Sequence, residues 1–213
     1  MQTKFIEMTI KDFGARVESV WEGLRPMTKK MIVGALHASS GNTPTTAQAQ
    51  KFSYDAHADW ELSRLLSALD EQAKNAEVRK DVVKLREIRQ LADTCAAVLE
   101  SKTESAEVFI QLVSRTLQRN DFNKVDRLAD ILAQRFSAGE IAEIIRQTDL
   151  AQIRAVAFET LALMPVSNIL PLLDDPIYFE IARNALEQQA FEFDNADAQA
   201  VLEQIEFDEM SGE

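Results

Sequence analysis

The sequence predicts an all-α protein, with a long-helix bundle in its first half and stacked antiparallel helical hairpins, an α-solenoid, in its second. Three observations lead there. The composition favours helix: the 213 residues include only 6 Gly and 5 Pro, while Ala, Leu, Glu, Gln and Arg, which lose little side-chain freedom in a helix, abound. Apolar residues recur at spacings of three and four along most of the chain, the period of a helix that buries one face. Beyond Lys102 the periodic segments shorten and begin on a recurring Asp.

Phe13, Val17, Val20, Trp21 and Leu24 predict a first helix over 12–24. Pro26, whose missing N–H costs nothing in a first turn, opens a second that reaches His37. Ser39-Ser40-Gly41-Asn42-Thr43-Pro44 is a run of turn formers and reads as a loop. Thr45 and Gln48 then have capping-box spacing, predicting a long helix to Gln72. Tyr54, Ala58, Leu62, Leu65, Leu66 and Leu69 share one side of it, with Phe52 and Trp60 on an adjoining stripe, so two packing neighbours are expected. Val78, Val82, Leu85, Ile88, Ala92, Cys95 and Leu99 predict one helix from Glu77 to Ser101, its outer face bearing Arg79, Lys80, Lys84, Arg86 and Arg89.

In the second half, Asp121, Asp149 and Asp175 each precede an apolar residue by four positions (Val125, Ile153, Phe179) and another by seven (Leu128, Val156, Ala182). The aspartates are 28 and 26 residues apart, room for two short helices and two turns. Each Asp is placed to cap a helix N-terminus with its carboxylate. Partner helices are predicted over 106–118, 138–147 and 166–173, and a last helix over 196–205. A hairpin this small cannot bury its own apolar face, so stacking follows. The division expected is 1–102 for the bundle, 103–206 for the hairpins and 207–213 for a frayed acidic tail.

The stretch Asp149-Leu150-Ala151-Gln152-Ile153-Arg154-Ala155-Val156-Ala157 resembles the second helix of a HEAT-like repeat, in which an Asp precedes an apolar-Arg pair and a small residue. The resemblance covers residues 104–190. The other two segments depart from it, with Val125-Asp126 and Phe179-Glu180 in place of the apolar-Arg pair. It implies a solenoid of stacked helix pairs in which Asp149 and Arg154 form an architectural ladder rather than a binding site.

Charge is divided unevenly. Residues 1–102 carry 15 Lys/Arg against 14 Asp/Glu, whereas residues 103–213 carry 8 against 21, a net −13. That surface repels phosphate, which excludes nucleic acid as its partner and favours a protein with a basic surface. No run approaches the roughly 18 apolar residues of a membrane span. The first residues lack a charged-then-apolar leader pattern, and the single Cys95 sits where a small hydrophobe would serve. A reducing, cytoplasmic setting is therefore expected.

Motifs for chemistry are sparse. The two histidines, His37 and His57, are not flanked by converging ligands. In Asp55, His57, Asp59 and Glu61, residues two apart point to opposite sides of a helix, so no metal cage forms. The glycines are isolated, ruling out phosphate-binding loops, and neither a nucleophile elbow nor a paired-Cys zinc motif occurs. No catalytic residue, metal or cofactor is assigned. Met27, Met31 and Ile32, with Met8 upstream, read as core.

These readings lead to a non-enzymatic interaction module presenting an acidic face, with Glu140, Glu143, Glu187 and Asp197 as candidate partner-binding residues. The alternative is a helical small-ligand binder or enzyme with a pocket between the long helices near His37 and His57. A third expectation is self-association along the 77–101 helix.

Overall fold

The computed structural model describes residues 10–39 and 54–211. The predicted capping box at Thr45 and Gln48, Phe52, Met8 and most of the predicted loop lie outside them. Every regular element among the described residues is α-helical, with no strand. The chain divides into two compact units, Met1–Thr103 and Glu104–Glu213.

The first unit contains α1 (Ala15–Gly23), α2 (Pro26–Ser39), α3 (Ala56–Lys74), α4 (Ala76–Lys80) and α5 (Val82–Lys102). Helices α3 and α5 pack along each other, α1 lies on α3, and α2 touches both α3 and α5. Leu62, Leu65, Leu66 and Leu69 of α3 and Ile88, Ala92, Cys95 and Leu99 of α5 form fully buried faces. The predicted self-association stripe is therefore spent largely inside the unit.

Three predicted helices in this unit are interrupted. The 12–24 helix breaks at Gly14, whose φ of 113° suits glycine alone; a Cβ there would sit 2.9 Å from Gln72 Nε2. The long helix begins at Ala56 rather than Thr45, because Asp55 is extended (φ −142°, ψ 168°) and accepts from the Ala58 N–H. The 77–101 helix breaks at Asp81, whose carboxylate caps the N–H groups of Val83 and Lys84. That restart turns Val82 out of the predicted stripe and leaves it exposed. Trp60, expected to pack, is also exposed, with Arg64 4.5 Å from its ring centroid.

The second unit contains α6 (Ala106–Gln118), α7 (Phe122–Arg135), α8 (Ala138–Gln147), α9 (Ala151–Ala162), α10 (Val166–Leu173), α11 (Phe179–Glu192) and α12 (Ala196–Ser211). Each of α6/α7, α8/α9, α10/α11 and α11/α12 packs as neighbours, and further contacts run α6 to α8 to α10 and α7 to α9 to α11. Phe109 meets Phe136 edge-on at 5.4 Å between centroids, and Leu112, Leu128, Ile141 and Ile153 are buried in the same unit.

Of the three expected Asp caps, Asp121 caps α7 by accepting from the Lys124 N–H. Asp149 does not cap α9: the helix starts two residues later, and the Thr148 hydroxyl accepts from the Leu150 N–H. Asp175 instead bends the chain, accepting from the Ile177 N–H before α11 starts at Phe179. Arg154 donates to the Thr148 carbonyl at 2.6 Å, closing the α8–α9 turn. The 207–213 tail is not frayed throughout, since α12 continues to Ser211.

Replacing Gly14 with Ala forces a glycine-only conformation on an L-residue and pushes a Cβ against Gln72. Thermal unfolding should show a loss of about 1–3 kcal/mol.

Candidate protein-binding surface

The four carboxylates proposed from sequence occupy different environments. Glu140 stands three residues into α8, after the Ser137 that caps that helix through the Glu140 N–H. Its own Oε2 accepts from the Ala106 N–H at 2.9 Å, so it caps α6, where Ser105 makes no capping bond. Glu140 thus ties α8 to α6.

Glu143 has a similar task. Arg146 donates to it through Nε at 2.6 Å and Nη2 at 2.5 Å, Gln147 Nε2 at 2.5 Å, and the Tyr178 hydroxyl at 2.8 Å. Its side chain is only 20% exposed. The Arg146 guanidinium, outweighing partial burial and helped by Gln147 and Tyr178, holds the carboxyl down at about 2. Tyr178, at the entry to α11, has its phenol raised by that same carboxylate. The cluster fixes α8 to the start of α11 and leaves little of Glu143 to a partner.

Glu187 and Asp197 remain at the surface. Glu187 pairs with Arg183 along α11 at 3.2 Å, and Asp197 is exposed in the first turn of α12. Close to them lies a feature the helical pattern did not single out: Phe191 and Phe193 are 79% and 47% exposed, with Glu192 and Asp194 beside them. The alternation Phe191-Glu192-Phe193-Asp194 is the signal, because it departs from the three-and-four spacing of a packed face.

No protein-family model, curated protein or solved structure matches this chain. The surface must therefore be read from its own chemistry.

In the first unit, Asp55 and Glu61, on either side of His57, converge on Arg25, while Asp59 accepts from the Tyr54 hydroxyl. Arg25 grips Asp55 through Nη1 at 3.0 Å and Nη2 at 2.7 Å, and Glu61 through Nε at 3.1 Å. Its backbone N–H donates to Glu61 at 2.7 Å, and the buried Thr28 hydroxyl donates to the same carboxylate. Burial pushes the Glu61 carboxyl up, but these donors outweigh it and the net direction is down. His57 stands 3.7 Å from Glu61 at the exposed edge of this clamp. Sequence reasoning missed Arg25 because it lies 36 residues from Glu61.

An open groove of about 620 Å³ runs between α2 and α5, with Ala35, Leu85 and Ala97 along it and Arg86, Arg89 and Asp93 at its sides. Neither His37 nor His57 lines it. Among the described residues, no three His, Cys, Asp or Glu side chains are placed to hold a metal ion.

Glu143 should govern part of the acid stability. Its folded-state carboxyl lies below the ordinary 4.5, so its contribution is complete above about pH 4.5 and fades as pH falls towards 2. Glu143→Gln should lower stability near neutrality by about 1–2 kcal/mol, with the gap from wild type closing over that acid range. Thermal melts at stepped pH measure it; a gap that persists at pH 2 contradicts the assignment.

Proposed function

We propose that residues 104–206 form a HEAT-like α-solenoid serving as a protein–protein interaction module, whose acidic surface meets a partner with a basic surface. The order of helix contacts carries this reading. One layer, α6, α8 and α10, touches in succession, the layer α7, α9 and α11 does likewise, and α6 packs on α7, α8 on α9 and α10 on α11. That pattern is what stacked hairpins require.

Register supports it further. Counted from the observed helix starts, the seventh residues of α7, α9 and α11 are Leu128, Ala157 and Ala185, and the eleventh are Leu132, Leu161 and Gln189, all buried. The starts are 29 and 28 residues apart, a steadier interval than that of the aspartates. Each unit can then be added to the next without a new kind of interface.

The unit's net −13 favours a basic protein over phosphate-bearing nucleic acid or an anionic membrane surface. No single helix among the described residues is long and apolar enough to cross a membrane. The fully buried Cys95 packs as a small hydrophobe, in keeping with the reducing cytoplasm proposed as the setting.

Glu140 and Glu143 have structural duties, so the test should reverse other charges. The carboxylates of Asp126, Asp130, Glu159 and Glu180 belong to exposed residues of α7, α9 and α11. Immobilised wild-type chain should enrich a reproducible set of basic proteins from lysate, identified by mass spectrometry. The four-fold Lys variant should recover about tenfold less of each, roughly a 1.4 kcal/mol change. Equal recovery of the same proteins overturns the proposal.

The α2–α5 groove favours a second reading, binding of an anionic amphiphile by Arg86 and Arg89 over an apolar floor. Laurate should raise the melting temperature of wild type but not of Arg86→Gln/Arg89→Gln. Absence of any shift removes this reading.

A further inference from the structure

We propose that the turn between α11 and α12 is the docking point of the acidic module, taking a partner segment in which Lys or Arg residues flank a large apolar side chain. This rests on the interaction-module reading and names its surface and the chemistry of its occupant.

The patch has a rigid base. Gln189, buried in α11, donates from Nε2 to the Met164 carbonyl at 2.7 Å and accepts from Asn195 Nδ2 at 2.9 Å. It thereby joins the turn that follows α9 to the turn that follows α11. Asn195 in turn accepts from the N–H groups of Asp197 and Ala198 at the start of α12. A buried amide with both ends engaged fixes orientation more sharply than an apolar contact would.

On this base sit side chains that a folded core would ordinarily cover. Leu163 and Phe193 hold the same place, the first residue beyond α9 and α11, and are 66% and 47% exposed. The corresponding Phe136 beyond α7 is buried against Phe109. Phe191, the penultimate residue of α11, is 79% exposed. Large apolar side chains exposed on turns that one buried amide joins are candidates for an interaction surface.

Charge selects the occupant. From residue 184 to 213 there are nine Asp/Glu and no Lys/Arg, and Glu192, Asp194 and Asp197 lie at the turn itself. Gln188 bonds Glu192 at 2.9 Å without neutralising it. A second copy brings the same acidic surface and is repelled, and so is an anionic lipid or nucleic acid. A guanidinium or ammonium group can lie over an exposed Phe ring while pairing with the adjoining carboxylate, which makes Phe191-Glu192-Phe193-Asp194 suited to a basic segment. An aliphatic side chain between the cations would cover Leu163 and Phe193.

Two fluorescein-labelled peptides of about a dozen residues test this, both rich in Arg, one with two central Leu and the other with Ser in their place. Anisotropy at about 0.15 M salt, where exposed charges beyond about 8 Å are screened, should show the Leu peptide binding wild type about tenfold tighter. Phe191→Ser/Phe193→Ser should abolish that preference, and Glu192→Gln/Asp194→Asn/Asp197→Asn should weaken both peptides. Both variants change exposed residues, so circular dichroism and melting curves should stay close to wild type. Leu163→Ser provides an independent check should the double variant unfold.

Equal affinity for the two peptides, or a preference untouched by the Phe variant, overturns the inference. The wider reading is scored separately with the proteins enriched from lysate. If they survive Phe191→Ser/Phe193→Ser but are lost on charge reversal in α7, α9 and α11, the interaction module stands and this docking point falls. Light scattering that finds a stable dimer dissolved by the Phe variant assigns the patch to self-association and equally overturns the proposal.

Discussion

Short helices have many ends, and the second unit is organised by what satisfies them. Among the described residues its seven helices run from 8 to 16 residues, and each end leaves backbone groups without an intrahelical partner. Local side chains meet part of that need, as Ser137 and Asp121 do at their own helices. The remainder comes from elsewhere: Glu140 reaches from α8 to the first N–H of α6, and Gln189 from α11 to the carbonyl of Met164 beyond α9. Polar side chains here therefore hold elements together before they meet anything outside.

That constraint decides which negative charges are left for the recognition proposed above. A carboxylate already accepting from Arg146, Gln147 and Tyr178, as Glu143 does, gains little from another cation because its lone-pair directions are occupied. Glu192, Asp194 and Asp197 are on exposed residues in a stretch without Lys or Arg. Net charge alone treats all of these as equal. Local engagement separates them, and moves attention from the middle of the unit to the α11–α12 turn.

The same distinction explains how much was legible in the sequence. The all-α class and the bounds of α6, α8 and α10 could be read because apolar spacing is a local signal, reinforced at α8 by the Ser137 cap. The long helices of the first unit were overextended because their apolar period continues across Gly14, Asp55 and Asp81, while the breaks depend on backbone conformation. Asp149 and Asp175 were displaced from the cap position for a related reason: Thr148 and a bend at Asp175 deliver the chain to α9 and α11 later than an Asp cap would. The site was less legible than the fold. Glu140 meets Ala106 34 residues away and Glu143 meets Tyr178 35 away, separations that periodicity does not register.

Gln189 links the architecture to the docking point proposed at the α11–α12 turn. It occupies the eleventh position of α11, where α7 and α9 have Leu132 and Leu161, and it is equally buried. Leucine would fill that space without leaving a polar group to satisfy, so an amide is retained at some cost in desolvation unless both its ends are bonded. Both are bonded, one to each of the turns that carry Leu163 and Phe193. The exception to the apolar register thus bonds to the residues next to Leu163 and near Phe193 in the chain. A rigid support at that point lowers the ordering cost of binding, since side chains held in place before encounter lose less freedom on contact.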